Sequence, residues 1–295
     1  MKKIFAIILA ALLCMTVMVA CTNDAETADI TSDTANDAAT DETPEVPGET
    51  PDETPDEPVA GDLQAIKDRG VLVVGITDFA PMDYQDEEGN WIGFDADLAK
   101  AFAEYLGVDV QFQLIDWDNK VLELNSGAID VVWNGMTLTE EVKAAMECSN
   151  AYCNNAQVVI LPADVATNYA DTASMTDLLF AVEAGSAGEA EAVANGFETT
   201  PVLDQATALL EVSTGAADAA VIDSLMAGAM VGEGTDYASL TYTIGLNSEE
   251  YGVGFRKGSD AAAELNAFFV ECYADGTMME LAETYGVQAA VIAQY

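Results

Sequence analysis

The sequence predicts an α/β fold of two similar lobes, each with ligand loops at its strand ends. From Gly61 onward, apolar runs alternate with stretches of helical periodicity, the order expected of a mostly parallel sheet covered by helices. The segment ELNSGAID (123–130) is echoed by EVSTGAAD (211–218), so that E-x3-G-x2-D twice precedes an apolar strand. Acidic, aromatic and glycine residues gather where strands end, the edge at which open α/β sheets bind ligands.

The elements follow in order. VLVVG (71–75) reads as a buried strand, with Asp78 and Phe79 in the loop after it. Leu98, Phe102, Tyr105 and Leu106 recur at helical spacing, and Gly107 stops that helix. Val108, Val110, Phe112 and Leu114 alternate, so a strand runs into Asp116 and Trp117, and a short helix spans about Lys120 to Leu124. Ile129 to Trp133 form the next strand, which the residues Asn134 to Thr139 are expected to leave as a polar turn before an acid-led helix. The second half repeats the scheme: a strand at 178–182 into Gly185 and Ser186, a helix, a strand near 200–203, a helix at 206–214, and a strand at 219–222 into Asp223. A strand at 252–255 and helices at 261–274 and 277–285 complete it. Asp130 and Asp218 are expected to serve the turns rather than a ligand.

Composition narrows the function. The chain has 295 residues, 51% of them apolar, with 52 acids against 9 bases and a net charge of −43. Nucleic acid is not an expected partner, because phosphate binding needs clustered Lys and Arg. There is no His, which removes His-based triads, general bases and metal sites. No Lys or Arg lies between Lys143 and Arg256. Cys148 and Cys153 are either a disulfide or free thiols, Cys272 is left over, and C-x4-C alone is a weak metal signal, so neither a metal nor a cofactor is expected.

The N-terminus has the form of a leader: Lys2 and Lys3, then an apolar run to Ala20 too short for a comfortable membrane span. Met18-Val19-Ala20-Cys21 resembles the lipobox of bacterial lipoproteins, with Met where Leu is commoner. The resemblance implies that 1–21 is a lipoprotein signal peptide with its lipobox Cys, that Cys21 carries lipid, and that the protein is held at the outer face of the cell membrane. The alternative is an ordinary signal peptide cleaved near Ala20. Residues 22–60, in which Glu-Thr-Pro recurs at 42–44, 49–51 and 53–55, read as a disordered acidic tether.

In order and spacing, GFDADL (93–98), LNSGAID (124–130), GMTLTEE (135–141), SNAY (149–152) and the Gly185-Ser186 pair resemble the family 3 solute-binding proteins of ABC importers, the polar amino-acid binders. The resemblance covers about 62–290. It implies a two-lobed, type II periplasmic-binding-protein-like fold with a hinged cleft. Lobe one would be 62–155 plus 250–295 and lobe two 156–249, joined by crossovers near 153–158 and 248–252. It further implies a monomer without cofactor or catalysis, which closes on an amino acid or cationic amine and delivers it to a membrane permease. A surface sensor of the same fold is the alternative, and an enzyme on this fold, such as a dehydratase, is disfavoured by the missing His.

Position by position, the resemblance places Asp78 and Phe79 on the ligand side chain, Trp117 stacked on the ligand, and Asn134, Gly135, Met136 and Thr137 along the ligand backbone groups. It places the Ser186 amide on the carboxylate and Asp223 on the ammonium. Ser186-x-x-Glu189 is also a capping-box pattern. The family's carboxylate-clamping Arg is Val142 here, and Lys143 stands about 100° further around the helix. Either N–H groups alone hold a carboxylate, or the ligand is not a standard α-amino acid. The acids Asp78, Asp83, Asp116, Asp118, Glu183 and Asp223, with the rings of Phe79, Tyr84, Trp117, Trp133 and Tyr152, suggest a cationic ligand.

Overall fold

A short helix, α1 (Asp62–Arg69), leads into β1 (Val71–Ile76), a strand whose last three residues are buried. The computed structural model describes residues 61–295, so the leader, Cys21 and the tether lie outside the described residues. A small hairpin, β2 (Tyr84–Gln85) and β3 (Trp91–Ile92), precedes α2 (Phe94–Leu106). Phe94, Leu98, Phe102 and Leu106 recur every four residues and turn one buried face of α2 to the sheet. Then come β4 (Asp109–Leu114), α3 (Lys120–Ser126), β5 (Val131–Thr137), α4 (Glu140–Ala145), β6 (Met146–Cys148) and β7 (Cys153–Asn155).

The chain changes sheet at Ala156. The second lobe carries β8 (Gln157–Pro162), β9 (Leu179–Glu183), α5 (Ala187–Ala194), β10 (Glu198–Val202), α6 (Gln205–Thr214), β11 (Ala219–Asp223), α7 (Ser224–Met230) and β12 (Leu240–Gly245). It returns through β13 (Glu249–Arg256), followed by α8 (Ala261–Asp275) and α9 (Thr277–Thr284).

One sheet is ordered β4-β1-β5-β13-β6, with β7 also on β13, and the other β10-β9-β11-β8-β12. Each has a three-stranded parallel part, β4-β1-β5 and β10-β9-β11. Each is then extended by antiparallel strands, β13 on β5 and β8 on β11. The expectation of mostly parallel sheets therefore holds for only part of each, because the strands next to the crossovers run against the others.

The repeated E-x3-G-x2-D segment makes the same tie in both lobes. Asp130 donates its amide to the Val73 carbonyl (2.8 Å) and its carboxylate accepts the Val73 amide (2.8 Å). Asp218 does the same with Leu179, at 3.0 Å each way. Both acids are thus structural, as expected, fastening one parallel strand to the next.

Trp133 is fully buried, edge-on to Phe269 with ring centroids 5.7 Å apart, so it belongs to the core and offers no ring face to a ligand. Cys148, Cys153 and Cys272 are all free thiols. Among the described residues no helix is long and apolar enough to cross a membrane, and no group of three His, Cys, Asp or Glu could hold a metal ion.

Candidate functional site

β5 does not end at Trp133. It continues to Thr137 by pairing with β13, and the expected polar turn is a bulge inside the strand. Met136 pairs Gly252 and Val132 pairs Gly254, so Trp133, Asn134 and Gly135 lie opposite Val253 alone. A bulge bends a strand and re-aims its backbone. Gly135 sits at φ +52°, a left-handed conformation that suits glycine, and an added Cβ would lie 2.5 Å from a Phe79 ring carbon.

Buried side chains hold this bulge from beneath. The Asp95 carboxylate accepts the Gly135 amide and the Tyr152 hydroxyl, each at 2.7 Å. Asn134 accepts from the Thr77 amide (2.9 Å) and hydroxyl (2.7 Å) and donates to Asp83 (2.8 Å). Asn134 therefore reaches the site with its side-chain amide already engaged. Asp83 and Tyr152 are fully buried supports rather than lining, and burial pushes Asp83 well above the ordinary carboxylate range.

The carboxyl ends of β5, β9 and β11 and the starts of α3, α4 and α5 enclose a cavity of about 460 Å³. Of the expected site residues, Phe79, Trp117, Asn134, Gly135, Met136, Thr137, Ser186 and Asp223 line it. Asp78 does not. It is exposed in side clefts, one of which it shares with Asp204, whose charge adds to partial burial in raising the Asp78 pKa. The loop after β1 turns Phe79 inward and the neighbouring Asp78 outward. Asp116, Asp118 and Tyr84 also lie outside this cavity, leaving Glu183 and Asp223 as the expected acids in its wall.

Asp223 is buried at the end of β11. One carboxylate oxygen accepts from Tyr251 (2.6 Å), Gln157 (3.0 Å) and Asn155, and the other accepts from Gln205. Burial first, then the charge of Glu249, pushes its pKa up to about 7, against the lowering effect of these donors. Glu183, at the end of β9, is pushed up to about 8 by burial and then by Asp223, and its Oε1 has no hydrogen-bond partner among the described residues. Thr137 is also tied to this network, its hydroxyl donating to Glu249 at 2.9 Å.

At α5, the Ser186 hydroxyl accepts the Glu189 amide (3.0 Å), while the Glu189 carboxylate accepts from Gly185 (2.7 Å) and not from Ser186. The capping box is half formed. The Ser186 amide donates to the Glu183 carbonyl (3.2 Å), so the donors that α5 presents are those of Ala187 and Gly188.

Lys120, Thr139, Glu141, Val142 and Gln205 complete much of the wall beyond the expected set. Thr139 caps α4, accepting the Val142 amide at 3.1 Å. Lys120 is only 8% exposed; its Nζ donates to the carbonyls of Trp117 (3.1 Å) and Gly185 (3.0 Å) and lies 4.8 Å from the Trp117 ring centroid. Burial lowers its pKa, opposed by the charges of Glu183, Asp118 and Glu141. Its place at the start of α3, just after Trp117 at a strand end, is the signal in the sequence that could have found it.

A family model for bacterial extracellular solute-binding proteins, family 3, matches residues 72–288. The chain belongs to that family. As a solute-binding protein of this family it serves an ABC importer, outside the cytoplasm. Among curated relatives, it is 29% identical to the L-cystine-binding protein TcyJ of Escherichia coli K12, over 76% of this chain and 86% of that one. Among solved structures, it is similar to a mutant of ArgBP from T. maritima at 33% identity and TM-score 0.71, covering 76% of this chain and 98% of that one. It is also similar to a histidine-bound substrate-binding protein of an ABC uptake transporter from Streptococcus pneumoniae, at 28% identity and TM-score 0.71, covering 78% and 98%. A shorter match, 34% identical over 80 residues, is to the cyclohexadienyl dehydratase of Pseudomonas aeruginosa. The relatives are mostly binding proteins.

Proposed function

We propose that this solute-binding protein captures an amino acid with a positively charged group, or a related small amine, by closure of its two lobes, and delivers it to a membrane permease without chemical turnover. The observation that carries this reading is the cavity wall. Asp223 and Glu183 sit buried in it beside Phe79 and Trp117, and carboxylates with ring faces attract an ammonium or guanidinium. In this reading Asp223 takes the ligand ammonium, Phe79 and Trp117 flank its side chain, and Gly135, Met136 and Thr137 line its backbone groups. Asn134 acts by positioning the strand. The amino-acid ligands of the relatives support the same class. Asp78 has no first-contact role here.

Isothermal titration with arginine, lysine, polyamines and glutamate tests the reading. Binding of the cationic solutes is expected; tight binding of glutamate would sink the cationic assignment. Incubation with these solutes should return them unchanged. We further propose that Cys21 is lipidated and tethers the lobes to the membrane through 22–60. A Cys21→Ser chain should then appear in the medium instead of the membrane fraction, and retention there would remove the anchor.

A further inference from the structure

Seven Lys and Arg residues lie in the described part of a chain whose net charge is −43. Six of them form ion pairs: Lys67, Arg69, Lys100, Lys143, Arg256 and Lys257. Lys120 alone among the described residues has no carboxylate partner, although it is the most buried of the seven. Two of its three N–H groups meet carbonyls and the third has no partner among the described residues. A buried charge is ordinarily paired, since desolvating it alone is costly. Lys120 lines the cavity, so the missing partner has a place to come from.

We propose that Lys120 is the anion clamp of this cleft, and that the captured solute carries a carboxylate which seats on its Nζ together with the first amides of α5. The proposal rests on the amino-acid reading above and narrows it, from amines in general to solutes that keep their carboxylate. Gly185, whose carbonyl Lys120 holds, stands two residues before Ala187, the first residue of α5. Lys120 and Ala187 line the same cavity, so the ammonium and the start of α5 share one space. The other charged groups around that space are all acids. Glu189 takes the Gly185 amide and leaves the two later ones; Glu183, Asp118 and Glu141 raise the lysine pKa, but none of them forms an ion pair with it. None neutralises the lysine as an ionised ligand carboxylate would. The arrangement also answers the loss of the family Arg: Val142 lines the same cavity, and the positive charge reaches it from α3 instead of α4.

Isothermal titration with matched pairs tests this on the intact protein: arginine against agmatine, lysine against cadaverine, histidine against histamine. The amino acids are expected to bind about 10- to 100-fold tighter than their decarboxylated partners, the range for a hydrogen bond to a charged group. Lys120→Met should remove that difference, and Val142→Arg added to Lys120→Met should restore part of it. If Lys120→Met fails to fold, Lys120→Gln is the second variant, and a difference that survives in it would overturn the lysine's part. Amines that bind as tightly as their amino acids would overturn the clamp while leaving the receptor reading intact. If the protein takes neither member of any pair, both fall.

Discussion

Raising the pH from about 6 to about 8 should tighten capture of a cationic amino acid roughly tenfold, because the carboxyl group that meets the cation titrates in that window. With a pKa of about 7, Asp223 is ionised in about a tenth of molecules at pH 6 and in about nine-tenths at pH 8. The cation binds the ionised form, so affinity follows that fraction, a change of about 1.4 kcal/mol. At about pH 7 each binding event should release about half a proton, visible as a dependence of the titration enthalpy on the buffer's ionisation enthalpy. Glu183, at about 8 on the same wall, steepens the slope in the same direction; Glu183→Gln should return it to the Asp223 contribution. Asp223→Asn should leave only the Glu183 part of the slope and remove most of the affinity. Affinity that stays flat over this range, with no proton released, would refute the assignment of Asp223 as the cation's partner.

Gly135→Ala should destabilise by about 2–5 kcal/mol in urea unfolding, from a left-handed backbone (~1–2) plus displacement of the buried Phe79 and Tyr251 rings (~1–3). Gly127→Ala, also at positive φ but with nothing within 4 Å of the new methyl, should show only the first part, and equal losses would disprove the packing argument. Gly185→Ala would place its methyl 2.5 Å from Oδ1 of Asp118 in the opposite lobe, so ligand release in stopped flow should speed up on the order of tenfold; an unchanged rate would mean closure does not need that contact. Asp95, Glu183 and Asp223 are raised to about 7 to 8, so their stabilisation is full below the unfolded carboxylate range near 4 and is lost as pH rises through about 7 to 8, and burial raises Asp83 in the same direction. The unliganded Tm should fall from about pH 5 to about pH 8; a Tm that rises over that range would contradict the sign.

Much of this was legible in the sequence because it is local. Val71 to Gly75, the face of α2 and the twin E-x3-G-x2-D segments depend on neighbours a few residues away, and each folds as its spacing predicts. What the sequence hid depends on distant partners. The apolar run stops at Trp133, yet β5 continues because β13, far along the chain, supplies its hydrogen bonds. Asp78 and Phe79 are adjacent residues with opposite fates, decided by how the loop after β1 packs. The place of Lys120 just after Trp117 is visible in the sequence, but the reach of its side chain to the Gly185 carbonyl of the other lobe is not.

The two lobes share a scaffold and divide the chemistry. Asp130 and Asp218 make the same strand tie, so β5 and β11 are equivalent strands, but their ends differ. β5 lines the cavity with a bulged stretch, Asn134 to Thr137, whereas β11 ends there in a carboxyl group. Lobe two contains no Lys or Arg, so its buried wall, Glu183 and Asp223, is purely acidic, and the cavity's ammonium comes from lobe one. Without a ligand, one wall holds an unpaired lysine charge that burial disfavours, and the other holds two carboxyl groups that burial disfavours in their ionised form. A solute with both a carboxylate and a cationic group relieves both walls at once, while one with a single charge relieves only one. The gain is available only when the lobes meet, since Lys120 bonds to Gly185 across them. Closure and selection for a doubly charged solute thus draw on the same contacts, and a variant that weakens one should weaken the other.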